Sequence, residues 1–175
     1  MAGHNKWKQI KDKKAKTDGA KSKLYSKYSK LISAEAQKVK GDKSAPSLRA
    51  LVERAKAENV TNDVIDRAIK KAEGGGAALE AITYEAYGPG GCAMIIEALT
   101  TNKNKAAQEV KHILTDNGFS LASMGSATWA FKREGAVWTP TMTVDLEDAD
   151  IAVLEKLVGD LEANEEVQDV YTNVE

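Results

Sequence analysis

The run Gly74-Gly75-Gly76 constrains the fold of this chain most, because three consecutive glycines cannot continue a helix without a large loss of backbone entropy. The residues before the run follow a helical period, and those after it alternate between strand-like and helical patterns. We therefore predict a two-part α+β chain: a basic helical domain over residues 1–76 and an acidic domain over residues 77–175.

Three helices are predicted before the glycine run. Apolar residues recur at helical spacing from Ala20 to Val39, with Lys23, Lys27 and Lys30 on another face. A second helix starts at Ser47 and ends at Asn59. Thr61 is the predicted N-cap of the third helix, which exposes a basic edge of Arg67, Lys70 and Lys71.

The second domain alternates strands and helices. The predicted strands are 82–87, 92–99, a segment around 128–131, one entering after Pro140 through Val144, and 167–171. Helices are predicted over 105–116, ending with Gly118 at C′, and over 148–163. From Cys92 the order is βαβ-βαβ, which is typical of a ferredoxin-like sandwich with one additional N-terminal strand.

Charge is segregated along the chain although the formal net charge is only −1. Residues 1–71 hold 19 Lys+Arg and eight Asp+Glu, whereas residues 72–175 hold six and 18. Clustered cations suit a phosphate backbone, so we predict a nucleic-acid partner for the first domain rather than a lysine-rich face that only aids solubility. The acidic region is either a solvated face or a surface that repels nucleic acid and so orients the molecule.

Residues 1–18 contain six lysines and few apolar residues, which predicts a mobile arm that becomes ordered on a partner. Trp7 lies between two lysines. It either stacks on a base or ribose, or packs the arm onto the first helix.

Five spaced motifs together resemble the YebC/PmpR family. They are the start Met1–Trp7, Ala68–Lys71, Tyr84–Gly91, Leu99–Lys105 and the ending Glu166–Asn173. The resemblance implies regulation directed at a nucleic acid, without fixing DNA or RNA. Because members of the family are commonly described as transcriptional regulators that bind DNA, we predict that function. The alternative within the family is a ribosome-associated translation factor, like the mitochondrial translational activator of cytochrome oxidase.

Among the differences between this chain and the family pattern, two bear on the predicted contacts and on the domain organisation. Lys103 and Lys105 replace arginines in the Thr100–Lys105 loop, and lysine offers a point charge where arginine offers a planar fork. The family also carries a third lobe between the 131–137 region and the strand at 143–146. Here Trp138–Met142 stand in its place, so we predict a short form with a tight connection there.

The predicted nucleic-acid contacts combine the basic clusters with the loop that the resemblance implies. They are Lys6, Trp7, Lys8, Lys11, Lys13, Lys14, Lys16, Lys23, Lys27, Lys30, Arg67, Lys70, Lys71, Asn102, Lys103, Asn104 and Lys105. The partner is duplex DNA or a structured or ribosomal RNA.

An enzyme is the third function class, and the sequence offers little for it. Cys92 lies in an apolar run typical of a buried strand, and neither His4 nor His112 belongs to a recognisable catalytic arrangement. One cysteine and two histidines are too few for a structural zinc site. With no long apolar segment, we expect a cytoplasmic protein without a cofactor, a membrane span or a small-molecule substrate.

Overall fold

The computed structural model describes residues 6–175, which form two compact units. The helical unit comprises residues 14–80, and the sheet unit comprises residues 6–13 together with 81–175. The architecture is mixed α+β, with a helical region followed by an α/β region, as the sequence predicts.

The helical unit contains α2 (Asp18–Lys38), α3 (Pro46–Ala57) and α4 (Asn62–Glu73), and it follows α1 (Lys6–Ala15), which spans the boundary between the units. Thr17 and Thr61 cap α2 and α4, since their hydroxyls accept hydrogen bonds from the backbone N–H groups of Ala20 (3.2 Å) and Val64 (3.4 Å). The predicted cap at Thr61 is therefore confirmed.

The core of the helical unit joins all three helices through buried side chains. Tyr28 and Ile32 of α2 pack in one apolar cluster with Leu48 of α3 and with Ile65 and Ile69 of α4. The Tyr28 hydroxyl, fully buried, donates to Glu58 Oε1 at 2.5 Å and so satisfies the one polar atom that the ring brings inside. The apolar stripes predicted from the sequence form this core.

The sheet unit is built on a three-stranded sheet, with two helices from the same unit. The elements are β1 (Glu80–Tyr87), β2 (Ala93–Thr100), α5 (Lys103–Asp116), α6 (Asp148–Ala163) and β5 (Val167–Thr172), and the strands lie in the order β1-β2-β5. The central strand β2 pairs antiparallel with β5. Helix α6 has the predicted bounds, and Gly118 follows the end of α5 with φ +86°, as expected of a C′ glycine.

Strand β2 is apolar at every position from Ala93 to Leu99 except Glu97, and its two covered faces explain this pattern. Met94 and Ile96 face a cluster that includes Leu114 of α5 and Leu154 of α6. Ile95, on the opposite face, packs against the segment that contains Ala127, Ala130 and Phe131. Because successive side chains of a strand point to opposite faces, a strand covered on both sides has no polar alternation.

The strands β3 (Phe131–Glu134) and β4 (Val137–Pro140) form a separate hairpin. Their positions differ from those of two predicted strands. Residues 128–130 form a short helical turn, and the strand expected after Pro140 lies before it instead. Gly135, with φ +64°, allows the reversal between the strands, and Pro140 pairs with Phe131 at the end of β4. The tight connection predicted over 138–142 is thus largely a strand.

Candidate nucleic-acid interface

The basic edge predicted on α4 is exposed in the structure. Lys70 and Lys71 lie in its last turn, where cations also complement the negative end of the helix dipole. Arg67 stands one turn earlier and is held at 2.8 Å by Asp63. Lys70 and Lys71 thus present their ammonium groups to solvent, while Arg67 shares its charge with a carboxylate.

The lysine ridge predicted on α2 is half-buried. Lys23, Lys27 and Lys30 occupy one side of the helix, and the Lys27 ammonium lies 5.9 Å from the centre of the Tyr28 ring. Long lysine side chains cover apolar surface with their stems while the charged ends remain near water. The ridge therefore contributes both to packing and to the surface charge of the helical unit.

A cleft between α3 and α4 adds three cations that the sequence analysis missed. Lys43, Arg49 and Lys56 line this cleft of about 410 Å³ together with Glu53 and Asp66. Arg49 and Lys56 are seven residues apart, so they share one helix face. The seven-residue spacing of Arg49 and Lys56 is the signal in the sequence that could have identified them. Glu53 lies between them, and this acidic residue made the basic face difficult to recognise.

The predicted mobile arm is, over its described part, helix α1. Trp7 is only 4% exposed and belongs to the sheet unit's apolar cluster, with Ile10 packed beside it. The Trp7 ring is thus packed in the core of the sheet unit. This position differs from both predicted roles, which were stacking on a base and packing onto the first long helix. Lysines of this region that remain exposed are Lys8, Lys11, Lys13, Lys14 and Lys16.

The predicted Thr100–Lys105 loop is shorter than expected, because α5 begins at Lys103. Asn102 is its N-cap, and the side-chain oxygen accepts a hydrogen bond from the Lys105 N–H at 3.1 Å. Lys103, Asn104 and Lys105 form the exposed first turn. The Lys105 ammonium lies 3.8 Å from Glu109 and 3.7 Å from Glu166, so carboxylates compete for its charge.

The sheet unit separates two of the predicted contacts. Lys6 pairs at 2.9 Å with Asp148, the first residue of α6. Lys105 lies near Glu166, just beyond the other end of that helix. Since α6 has 16 residues and is about 24 Å long, Lys6 and Lys105 do not form one cluster.

Cys92 and His112, two of the side chains considered for catalysis, have surroundings that fit a structural role. Cys92 is fully buried, and this burial raises the pKa of its thiol to about 11, so the thiol stays protonated at neutral pH. The His112 ring is exposed and lies 3.2 Å from Asp116. His4 lies outside the described residues.

Two properties of residues 6–175 bear on the expected absence of a metal and of a membrane span. This part of the chain contains no group of three or more His, Cys, Asp or Glu side chains placed to hold a metal ion. Over the same residues, no helix has both the length and the apolar character needed to cross a membrane.

Comparison with known proteins connects both parts of the chain to one family. Residues 5–75 match the TACO1/YebC protein N-terminal domain, and residues 79–139 match the TACO1/YebC second and third domain. A crystal structure of a conserved hypothetical protein, Aq1575 from Aquifex aeolicus, is similar with a TM-score of 0.78 at 25% identity, covering 92% of this chain and 93% of that one.

Curated relatives are similar along nearly the whole chain. A "probable transcriptional regulatory protein" of Halothermothrix orenii is 43% identical over 98% of this chain and 66% of its own length. Another from Caldanaerobacter subterraneus is 42% identical, covering 99% of this chain and 73% of the relative. The chain thus spans about two thirds to three quarters of their length, and it belongs to the TACO1/YebC family.

Proposed function

We propose that this chain is a cytoplasmic regulator that binds duplex DNA and controls transcription by binding rather than by catalysis. The observation that carries the proposal is the division of charge between the two units. Residues 14–80 hold 15 Lys+Arg and nine Asp+Glu, whereas residues 1–13 and 81–175 together hold ten and 17. The helical unit is therefore the proposed contact surface.

The exposed cations of the helical unit suit contacts with phosphates. Lys70 and Lys71 at the end of α4, with Arg49 and Lys56 along α3, are exposed on helices whose apolar faces are already buried in the unit's own core. Each ammonium or guanidinium placed near a phosphate releases condensed counterions, which favours binding independently of sequence. Such contacts position a protein on DNA, and base reading requires others.

The relatives' names support the regulatory part of the proposal. Two proteins more than 40% identical to this chain are both named probable transcriptional regulatory proteins. The acidic sheet unit supports an oriented complex, because its negative charge disfavours contact between that unit and phosphates.

The test is binding of the full chain to duplex DNA, measured by fluorescence anisotropy over a range of salt concentrations, beside co-sedimentation with ribosomes. We expect saturable duplex binding. The logarithm of its association constant should fall with the logarithm of the salt concentration with a slope of roughly −3.6 to −5.4, as four to six phosphate contacts give. Ribosome co-sedimentation without saturable duplex binding would overturn the proposal in favour of a translation factor.

A further inference from the structure

Residues 118–144 form an unusual surface within the acidic sheet unit. Their only charged residues are Lys132, Arg133 and Glu134, whereas residues 81–175 hold 16 acids in all. The same segment exposes large apolar side chains. They include Met124 at 97%, Trp129 at 56%, Met142 at 58% and Val137 at 44% exposure. The segment thus combines exposed apolar groups with a scarcity of carboxylates.

Trp129 is exposed but held in place. Its indole Nε1 donates a hydrogen bond to the Tyr87 hydroxyl at 2.8 Å, and that hydroxyl in turn donates to the Ser126 carbonyl. The polar edge of the indole is satisfied within the protein, so its apolar surface is what remains for a ligand.

The loop before Trp129 is anchored by a buried carboxylate. Glu85, 5% exposed, accepts hydrogen bonds from the backbone N–H groups of Gly125 (2.6 Å), Ala127 (2.9 Å) and Thr128 (2.8 Å). Three charge-assisted bonds restrict the loop, and little ordering entropy then remains to be lost when a ligand binds.

We propose that Trp129 is a stacking platform for an unpaired nucleic-acid base, an inference that rests on the proposed nucleic-acid partner. A fixed indole stacks any base, since every base has a π-face. Lys132 follows Trp129 by three residues, so their Cα atoms lie within about 10 Å, and its exposed ammonium, 3.3 Å from Glu134 Oε1, is the proposed phosphate contact beside the ring. Arg133 lies 5.3 Å from the Trp138 ring and adds a second cation in the hairpin.

The charge pattern favours a nucleic acid over an apolar protein segment at this surface. A phosphate chain is repelled by the rest of the sheet unit, and the scarcity of acids in residues 118–144 relieves that repulsion here. Small polar residues such as Ser123, Ser126 and Thr128 also interrupt the apolar groups along the sequence, whereas the buried core of a protein interface is more apolar than the rest of the surface.

The experiment compares the full chain with three variants on a short fluorescent oligothymidylate and on a blunt duplex. Trp129→Ala should weaken oligothymidylate binding by about 5- to 100-fold and leave duplex binding unchanged. Trp129→Phe should retain most of the affinity, because phenylalanine still stacks. The matched control is Val153→Ala, another exposed apolar residue, on α6, and it should change neither affinity.

A second measurement keeps the test valid if Trp129→Ala folds poorly. Oligothymidylate should quench the tryptophan fluorescence of the wild type, and Trp129→Phe should bind it with most of this quenching lost. Unchanged affinity of a folded Trp129→Ala, or quenching that persists in Trp129→Phe, would overturn the platform. Wild-type binding to duplex alone overturns the platform but not the proposed function, and binding to neither probe overturns both.

Discussion

Lysines of the two units carry the same formal charge in different electrostatic surroundings. In the helical unit, Lys70 and Lys71 end a helix whose dipole they complement, and both are exposed. In the sheet unit, Lys6 lies 2.9 Å from Asp148, and Lys105 lies within 4 Å of two glutamates. A lysine count along the sequence therefore overstates the positive potential of the sheet unit, and the helical unit is the stronger candidate for phosphate contacts.

The largest expected effect tests whether the N-terminal segment belongs to the sheet unit. Trp7→Ala should destabilise the protein by about 3–5 kcal/mol, since it empties a buried aromatic position. Trp7→Phe should cost less, because Trp7 Nε1 is buried without a hydrogen-bond partner among residues 6–175 and its removal relieves that cost. Urea unfolding of the full chain measures both changes in stability. An unchanged unfolding midpoint for Trp7→Ala would contradict the burial of this ring and support the prediction of a mobile arm.

The next effect concerns the Glu85 anchor, which has no counterpart in the helical unit's described core. Burial alone would raise the pKa of Glu85, but hydrogen bonds from Gly125, Ala127 and Thr128 outweigh it and lower this pKa. The stabilisation is then full above the unfolded pKa of about 4.3 and is lost as pH falls through the lower folded pKa.

Glu85→Gln should therefore cost about 2 kcal/mol at neutral pH and make stability less dependent on pH in acid. Urea unfolding at several pH values measures both effects. A variant that remains as acid-sensitive as the wild type would show that other carboxylates dominate the acid response.

Features that depend on neighbouring residues could be predicted from the sequence, and features that depend on weak or distant signals could not. Helix caps and apolar stripes depend on residues that are close in the sequence. The N-cap at Thr61, the end of α4 before the glycine run and the bounds of α6 could therefore be predicted. The hairpin of β3 and β4 could not, because short exposed strands have a weak apolar pattern and Gly135 fits a loop as well as a turn.

The candidate site was less predictable for the same reason. Nothing near Lys6 in the sequence reveals Asp148, and nothing near Trp7 reveals the core that buries it. Lys70 and Lys71 were predictable because exposure on an amphipathic helix depends only on the helical period. Ion pairs between distant residues need the tertiary structure.

The smallest stability effect is expected at Cys92, whose side chain is small. Cys92→Ala should cost about 1 kcal/mol and leave nucleic-acid binding intact, because the thiol only fills space in the sheet unit's core. Because burial raises its pKa to about 11, the thiol of the native protein should react slowly with a thiol reagent at neutral pH. Fast labelling, or loss of binding in a folded variant, would assign Cys92 a chemical role.

The salt dependence of duplex binding tests most directly whether the helical unit carries the phosphate contacts. Lys70→Gln/Lys71→Gln and Lys6→Gln/Lys105→Gln remove the same charge from the two units. We predict that the first double variant reduces the magnitude of the log-log salt slope by about 2 and the second by less than 1. Equal reductions, or a larger one for the second variant, would contradict the assignment of the phosphate contacts to the helical unit.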